Sequence, residues 1–352
     1  YLEPGKIMEA IETSLITGLP EGYTSRATQP SDAEAMVEIL LADAKLLGKS
    51  REFDPDEIRT DWESPDFVLA ESSRVVLDSE GTLVGIVTVW DTGKPPVHPF
   101  LSIIIHPEHM ESGIGEAMLT WGEDRAKQAI DRCPPEVRVS IRSNTDDLHE
   151  TRKALLESFG MEKIRYFFRM LINMKEAPPA PQLAEGYIIR TMQYPDEVAD
   201  TLRAVVDAFK DHWGFVEAPF EDELKEWQHH IDTDKLFDPM VWFLAIHEET
   251  GEIAGFSLCR EEHWSDPSVA YIFELGVRRE HRRKGIALAL LHHTFGEFWK
   301  RDRKDVALHV DATSLTGAVR LYEKAGMHQD ERSVAYDKLL REGEELMTTS
   351  AD

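Results

Sequence analysis

The chain has 352 residues, 42% of them hydrophobic and 30% charged, which is enough to bury a core in each of two ordinary domains. Its 39 Lys and Arg residues against 66 Asp and Glu residues give a formal net charge of -27, which argues against nucleic acid or an anionic membrane as a partner. No apolar run is long enough to cross a bilayer, and the acidic first residues are unlike a secretory signal.

The two cysteines, Cys133 and Cys259, lie far apart and show no CxxC spacing. This spacing argues against a disulfide framework and a thiolate metal site, and it fits a reducing compartment, so we expect a cytoplasmic protein. Adjacent histidines at 229–230 and at 292–293 cannot both point at one metal from a helix. We therefore expect no metal site.

Two halves of the chain show the same order of predicted elements. A polar loop leads into a helical segment at residues 32–47, and a similar segment occurs at 195–212. After each helix, two apolar runs flank a glycine turn, at Gly81 and at Gly251, which predicts a β-hairpin. A strand, a helix, a strand, a short helix and a last strand follow in both halves. This mixed order predicts an α/β or α+β domain in which helices pack on a sheet.

The two halves also share sequence. Four pairs of segments keep their glycines in register: "EGYTSRATQ" (21–29) with "EGYIIRTMQ" (185–193), "DSEGTLVGIVTV" (78–89) with "EETGEIAGFSLC" (248–259), "SGIGEAML" (112–119) with "KGIALALL" (284–291), and "LLESFGM" (155–161) with "LYEKAGM" (321–327). A repeat of this length indicates two copies of a whole domain rather than a solenoid, whose units are much shorter.

The boundary between the copies is predicted from composition. Residues 175–186, "KEAPPAPQLAEG", are rich in proline and alanine and have no apolar periodicity, which predicts a stiff linker. We therefore expect an N-terminal copy at 22–174 and a C-terminal copy at 187–340. An N-terminal extension at 1–21 and an acidic tail at 341–352 complete the predicted organisation.

One strand of the C-terminal copy carries an isolated acid. The run "YIFELGV", residues 271–277, alternates as a strand and is predicted to place Ile272, Glu274 and Gly276 on one face. Partial burial raises the pKa of a carboxyl group towards neutrality, so Glu274 is a candidate general base. The alternative is that Glu274 forms an ion pair that stabilises the sheet.

A cluster of basic residues follows this strand in an otherwise acidic chain. "VRREHRRKG", residues 277–285, contains five Lys and Arg residues against one acid. Apolar residues at helical spacing come next, so a helix is predicted to start at Gly285 and Ile286. Free N–H groups of a first helical turn, the positive end of the helix dipole and nearby cations together favour phosphate oxygens. Arg278 and Arg279 could instead form surface salt bridges.

The pattern Arg282-x-x-Gly285-x-Ala287, with a strand before it and an amphipathic helix after it, resembles the acetyl-coenzyme A signature of the GNAT acetyltransferases. The resemblance implies two tandem GNAT-like domains, each a mixed, mostly antiparallel sheet flanked by helices, with acetyl-CoA as cosubstrate. It also implies a coenzyme site in the C-terminal copy, formed by Leu275, Gly276, Val277, Arg282, Arg283, Lys284, Gly285, Ile286 and Ala287.

A second motif, "LYEKAG" at 321–326, follows at the distance expected in that family. The resemblance implies that Tyr322 is the general acid that protonates the departing thiolate, whereas packing of its ring in the core is the alternative. Asp311 stands where the family more often has asparagine.

The acceptor is predicted to lie against "AFKDHWGFVEAPF", residues 208–220, which mixes aromatic and acidic residues. His212, Trp213 and Glu217 are the candidates for a pocket that takes a cationic amine, with the Trp213 ring as one wall. The alternative is a core aromatic cluster beside a loop.

The N-terminal copy keeps the glycines but not the chemistry. Aligned on its turn, Met110 stands in place of Arg282 and Glu111 in place of Arg283, and Leu156 matches Tyr322. A carboxylate there repels a pyrophosphate, and leucine has no proton to donate. We expect this copy to have lost catalysis, although weak coenzyme binding through backbone N–H groups is the alternative.

These residues lead to an expected function. It is acetyl-CoA-dependent N-acetylation of a small-molecule amine by the C-terminal copy, because nothing in the sequence indicates a groove for a peptide acceptor. The alternative is a non-catalytic acetyl-CoA sensor; a mononucleotide site is disfavoured because no GxxxxGK[ST] motif occurs. An oligomer is possible, and the identity of the acceptor stays open.

Overall fold

The computed structural model describes residues 15–313 and 317–349. The first 14 residues of the predicted extension and the last three of the predicted tail lie outside the described residues. The chain divides into two compact units. The N-terminal unit comprises Tyr1–Ile164 with Ser333–Leu346, and the C-terminal unit comprises Arg165–Arg332 with Met347–Asp352.

The N-terminal unit contains a sheet with helices packed on it. Its strands are β1 (Thr24–Ala27), β2 (Ser73–Leu77), β3 (Leu83–Trp90), β4 (Phe100–Ile105) and β5 (Val139–Asp146). Its helices are α1 (Ala33–Leu46), α2 (Pro55–Trp62), α3 (Leu69–Ser72), α4 (Ile114–Lys127) and α5 (Glu150–Ser158). Neighbouring strands from β1 to β4 are antiparallel, whereas β4 and β5 are parallel and pair at Phe100 and Arg142.

The C-terminal unit has the same arrangement. Its strands are β7 (Tyr187–Thr191), β8 (Trp242–His247), β9 (Ile253–Arg260), β10 (Ala270–Val277) and β11 (Asp305–Asp311). Its helices are α6 (Val198–Phe209), α7 (Phe220–Thr233), α8 (Ile286–Lys300) and α9 (Ala318–Lys324). Strands β7 to β10 are antiparallel neighbours, and β10 pairs with β11 in parallel. The mixed, mostly antiparallel sheets confirm the predicted fold class.

The last strand of each sheet comes from the other sequence copy. Strand β6 (Glu162–Asn173) follows the N-terminal copy, but its residues 165–173 belong to the C-terminal unit and pair with β11. Strand β12 (His328–Arg341) follows the C-terminal copy, and its residues 333–341 pair with β5 in the N-terminal unit. The compact units and the sequence copies therefore differ by one strand each, and the boundaries of the copies at 22–174 and 187–340 stay a prediction.

Local sequence explains why the main elements form. The hairpins turn at Gly81 and Gly251, whose φ angles of +82° and +73° are costly for any residue with a Cβ. Helix α6 buries Val198, Leu202 and Val205 on one face, the spacing of an amphipathic helix against a sheet. Residues of β8, β9, β10 and α8 complete a continuous apolar core in the C-terminal unit.

Strand β10 departs from the predicted alternation. A β-bulge lies between Ile272 and Glu274, so that Ile272 pairs with Cys259 while Glu274 pairs with Leu258. Because cross-strand partners share a face and consecutive residues of β9 point to opposite faces, Ile272 and Glu274 lie on opposite sides of the sheet. The prediction that Ile272, Glu274 and Gly276 share one face is therefore wrong for Ile272. A bulge re-aims the side chain that follows it, here Glu274.

Candidate active site

The turn between β10 and α8, residues 278–285, has the backbone geometry of an anion site. Gly285 caps the start of α8 with a φ of +79°, and Arg283 also has a positive φ of +64°. Residues 283–285 are exposed, and no atom lies within 4 Å of the position that a Cβ on Gly285 would take. The N–H groups of the first turn of α8 have no partner within the helix, so they face open space at the positive end of its dipole.

Two cations of this basic turn are already paired. The Arg278 guanidinium donates to Asp207 at 2.8 Å, and Arg279 forms an ion pair with Asp211. Both acids lie on or just after the last turn of α6. The alternative that Arg278 and Arg279 form salt bridges is therefore confirmed.

Arg282 is held by three acceptors. Its Nε donates to the Val277 carbonyl at 3.0 Å, its Nη1 to Asp211 at 2.5 Å and its Nη2 to the Ala208 carbonyl at 2.9 Å. The guanidinium thus joins the end of β10 to the end of α6. Its predicted contact with the coenzyme stays a prediction.

The two cations next to the glycine differ in their surroundings. Lys284 Nζ donates to the Tyr187 hydroxyl at 2.7 Å, and that hydroxyl lies 2.9 Å from His281 Nδ1. Arg283 is exposed and has no hydrogen bond or ion pair with any residue that the structure describes. Arg283 and Lys284 are therefore the two cations of the basic turn that pair with no acid among the described residues, and Arg283 is the one with no hydrogen bond.

Strands β10 and β11 separate beyond their first residues. In the described part of the chain, they pair only where Ala270 meets Val306 and Tyr271 meets Ala307. Beyond this point, Leu275, Gly276 and Val277 pair with β9 along one edge, and no strand pairs with their edge towards β11 in the described part of the chain. The Val277 carbonyl accepts from Arg282. An extended chain could add to that edge as a further strand. Ile286 and Ala287, the remaining residues of the predicted coenzyme set, form the first turn of α8.

A cavity of about 300 Å³ opens where the strands separate, within the C-terminal unit. It is lined by Phe167 of β6, by Phe209, Asp211, His212 and Trp213 at the end of α6, by Ile272, Phe273, Glu274 and Leu275 of β10, by Leu308, His309, Val310 and Asp311 of β11, and by Ala318 and Tyr322 of α9. Both predicted catalytic residues, Glu274 and Tyr322, therefore face one space.

The cavity shifts the pKa of both groups. Glu274 is half-buried among apolar side chains, and burial raises its pKa to about 7. Glu274 forms no ion pair with any residue that the structure describes. Its alternative role, an ion pair that stabilises the sheet, therefore has no partner among these residues. Burial, together with the negative charge of Glu274, raises the pKa of Tyr322 above its ordinary value. Tyr322 is 7% exposed and also packs in the core, so packing and lining the cavity are compatible.

The predicted acceptor residues are only partly brought together. His212 and Trp213 line the cavity, and burial lowers the pKa of His212. The Arg165 guanidinium lies over the Trp213 ring, 4.4 Å from its centroid. A cation of this chain therefore already contacts the ring that was predicted to contact the amine. Glu217 is exposed and is not among the residues that line the cavity.

Sequence reasoning missed several lining residues. Phe167 and Arg165 come from β6, at the end of the N-terminal copy, and only the exchange of that strand places them in this unit. Arg165 forms an ion pair with Asp311, a residue noted from the sequence only as a departure from the family pattern. Asp211 lay inside the segment that was predicted to form the pocket, and its two arginine partners in the basic turn were the available signal.

The corresponding turn of the N-terminal unit keeps its shape without its cations. Gly113 caps α4 with a φ of +88°, but Pro20 Cγ would lie 3.5 Å from a Cβ on Gly113, where Gly285 faces open space. Met110 packs against the apolar core, and Leu156 is fully buried. The preserved backbone and the lost side chains agree with the sequence comparison of the two copies.

Comparisons with known proteins agree with this geometry. The sequence profile of the acetyltransferase (GNAT) family matches the chain twice, over residues 34–155 and 202–327. A mycothiol acetyltransferase of Mycolicibacterium vanbaalenii is 26% identical over 274 residues, which cover 75% of this chain and 82% of that protein.

Solved structures give the same result. A GCN5-related N-acetyltransferase from Sphaerobacter thermophilus is 30% identical with a TM-score of 0.78, over 93% of this chain and 99% of that one. A tandem GNAT protein from the clavulanic acid biosynthesis pathway is 13% identical with a TM-score of 0.63, over 92% of this chain and 100% of that one, and shows the shared fold.

The described residues contain neither a membrane-spanning helix nor a cluster of metal ligands. None of the helices within residues 15–313 and 317–349 has the length and apolar content that crossing a bilayer requires. The same residues contain no group of three or more His, Cys, Asp or Glu side chains arranged to hold a metal ion.

Proposed function

The chain belongs to the GNAT acetyltransferase family and is an N-acetyltransferase, and from this premise we propose that its C-terminal copy acetylates a primary amine of a small molecule. One observation carries the proposal: Glu274 and Tyr322 line a single cavity beside the open turn at Gly285. The N-terminal copy has Leu156 at the position of Tyr322, and Met110 and Glu111 at the positions of Arg282 and Arg283.

The residues of the basic turn fit acetyl-CoA, which the family uses and which supplies the acetyl group as an activated thioester. The N–H groups of residues 283–287 and the Arg283 side chain would hold its diphosphate, because they face open space at the positive end of α8. The edge of Leu275, Gly276 and Val277 that pairs with no strand would bind its extended arm by strand addition, apart from the Val277 carbonyl, which Arg282 holds.

Glu274 would act as the general base. A carboxyl group with a pKa of about 7 is divided between its two protonation states at neutral pH, so it can accept a proton from an ammonium group in the cavity. Tyr322 would act as the general acid. Because burial and the Glu274 charge raise its pKa, the phenol keeps its proton at neutral pH and can donate it from Oη to the departing thiolate.

The acceptor is proposed to be small and cationic. A cavity of about 300 Å³ lies at the lower end of the range for small-molecule sites. Glu274 puts a carboxyl group without an ion-pair partner among the described residues on its wall, and the rings of Phe167, Phe209 and Phe273 supply apolar surface. Together they favour an ammonium group carried on a compact body. A cytoplasmic location, the absence of nucleic acid and metal partners, and an oligomer stay predictions from the sequence.

A thiol-release assay tests the proposed function. The purified chain is mixed with acetyl-CoA, a thiol reagent and a panel of primary amines that includes glucosamine, phenethylamine, tryptamine and spermidine. We expect release of free thiol with at least one amine and formation of its N-acetyl product. Tyr322→Phe is the matched control, since it removes one oxygen from the cavity. A chain that binds acetyl-CoA but releases thiol with no amine is a sensor, and that result would contradict the proposal.

A further inference from the structure

Asp211 stands between the basic turn and the cavity. It is 9% exposed, it lines the cavity, and its two carboxylate oxygens accept from Arg279 and from Arg282. His212 and Trp213, which follow it directly, line the same cavity. The position of this short segment, residues 211–213, therefore depends on what holds Asp211.

Arg282 fixes Asp211 to two other elements at once. Beyond its 2.5 Å contact with Asp211, its guanidinium donates to the carbonyl of Val277, the last residue of β10, and to that of Ala208 in the last turn of α6. Carbonyls at a helix C-terminus lack partners within the helix and carry the negative end of its dipole, so a cation there is favourable. A planar group with donors in a fixed fork can serve three such acceptors, whereas a lysine ammonium cannot match the geometry.

The N-terminal unit lacks a counterpart of the Arg282 link between the turn and the helix end, and it lacks a tyrosine at the position of Tyr322. Met110 occupies the position of Arg282 and packs in the apolar core. Near the end of its helix, α1 presents Asp43 to His149 and Arg152 instead. The link from the turn to the helix end therefore occurs in the copy that has Tyr322 and the cavity.

We infer that Arg282 is a positioning residue for the acceptor wall, residues 211–213, rather than a ligand of the coenzyme phosphates. The inference rests on the proposed function and deepens it, because it assigns different tasks to neighbouring arginines. Arg283, exposed and unpaired among the described residues, and the N–H groups beside Gly285 hold the anion. Arg282, whose three donor nitrogens are engaged, holds the wall that the amine contacts.

The test compares substitutions of adjacent arginines. Arg282→Gln and Asp211→Asn break the same contact from opposite sides, Arg283→Gln removes the exposed cation, and Lys300→Gln at the far end of α8 is the neutral control. For each variant, the dissociation constant of coenzyme A is measured by calorimetry. The KM of the best amine from the panel is measured at saturating acetyl-CoA, and hydrogen exchange is followed at the amides of residues 208–213.

We expect the substitutions of Arg282 and of Arg283 to change different measurements. Arg282→Gln should raise the amine KM about tenfold and increase exchange at residues 208–213, while the coenzyme dissociation constant changes by less than about twofold. Asp211→Asn should also raise the amine KM and the exchange, and it additionally weakens the Arg279 contact. The double variant should have a smaller effect than the sum of the two single variants, because they share the contact between Arg282 and Asp211. Arg283→Gln should weaken coenzyme binding about tenfold and leave the amine KM and the exchange unchanged.

The inference is overturned if Arg282→Gln weakens coenzyme A binding as much as Arg283→Gln does and leaves the amine KM and the exchange unchanged. Should Arg282→Gln not fold, Arg282→Lys gives the same comparison, because a lysine ammonium keeps the charge but cannot serve the three acceptors. If the wild-type chain acetylates no amine, the proposed function has failed. The exchange at residues 208–213 then still decides whether Arg282, and not Arg283, holds the wall.

Discussion

The carboxyl group of Glu274 and the phenol of Tyr322 face one cavity, and the charge of Glu274 adds to burial in raising the pKa of Tyr322. The two groups thereby differ in protonation at neutral pH. Glu274, with a pKa of about 7, is partly ionised, while Tyr322 stays protonated. Two titratable groups that hold different protonation states at one site can act as base and acid in the same reaction.

The pH profile of catalysis follows from Glu274. Below its pKa of about 7 the carboxyl group is protonated and cannot accept a proton, so kcat/KM should rise with pH and level off above about 7. In Glu274→Gln this rise should disappear and leave only the ionisation of the amine itself. The measurement is kcat/KM from pH 5 to 9 with an amine of high pKa. An unchanged profile in Glu274→Gln would mean that another group is the base.

The raised pKa of Glu274 should also make the stability of the protein depend on pH. Stability should fall over the pH range in which kcat/KM rises. The pKa of Glu274 rises from 4.5 in the unfolded chain to about 7 in the folded one, so between these values the folded chain binds more protons. Its contribution to the free energy of unfolding therefore falls as pH rises from 4.5 to 7, by up to roughly 3 kcal/mol. Glu274→Gln should match wild type near pH 4 and become the more stable chain above pH 7. Urea unfolding of both chains across this range measures the difference.

Tyr322→Phe separates the acid role from packing. The ring keeps its place in the core, so the melting temperature and the coenzyme A dissociation constant should stay near wild type. Because the cavity loses the phenol proton, kcat should fall on the order of 100-fold, the scale of one general acid. An equal loss of coenzyme binding and turnover would instead identify Tyr322 as a packing residue.

Alanine substitutions at Gly285, which caps α8, and at Gly296, which lies inside α8, should have opposite effects on stability. Gly285 has a φ of +79°, so Gly285→Ala meets no atom but strains the backbone, which should lower stability by about 1 kcal/mol and weaken coenzyme A binding. Gly296 lies inside the helix with nothing within 4 Å of its missing Cβ, so Gly296→Ala should stabilise the chain by about 0.5–1 kcal/mol and leave binding unchanged. Thermal unfolding and calorimetry check both signs. Reduced binding in Gly296→Ala would show that the helix, not the turn, limits affinity.

Local patterns predicted much of the fold. The helix start at Gly285, the hairpin at Gly251 and the strand of "YIFELGV" all depend on residues close in sequence, and the structure has them where the patterns place them. The glycines shared by the two halves also predicted two similar units. Such features follow from backbone conformation and the period of apolar residues.

What the sequence missed depends on distant partners. The bulge that turns Glu274 away from the face of Ile272 exists only in the register between β9 and β10, and no local pattern encodes that register. The position of β6 places Phe167 in the wall of the cavity and Arg165 against Trp213 and Asp311, although both residues lie in the other sequence copy. The pairing of Asp211 with Arg279 and Arg282 likewise required the end of α6 to lie beside the basic turn.

The proposed function requires the turn at Gly285 in the C-terminal copy to hold the coenzyme. A crystal structure of the chain with saturating acetyl-CoA shows where the coenzyme binds. We expect coenzyme density with its diphosphate at the start of α8 and its thioester beside Glu274 and Tyr322, and one bound molecule per chain by calorimetry. Density at the start of α4 beside Gly113, with none at Gly285, would contradict it.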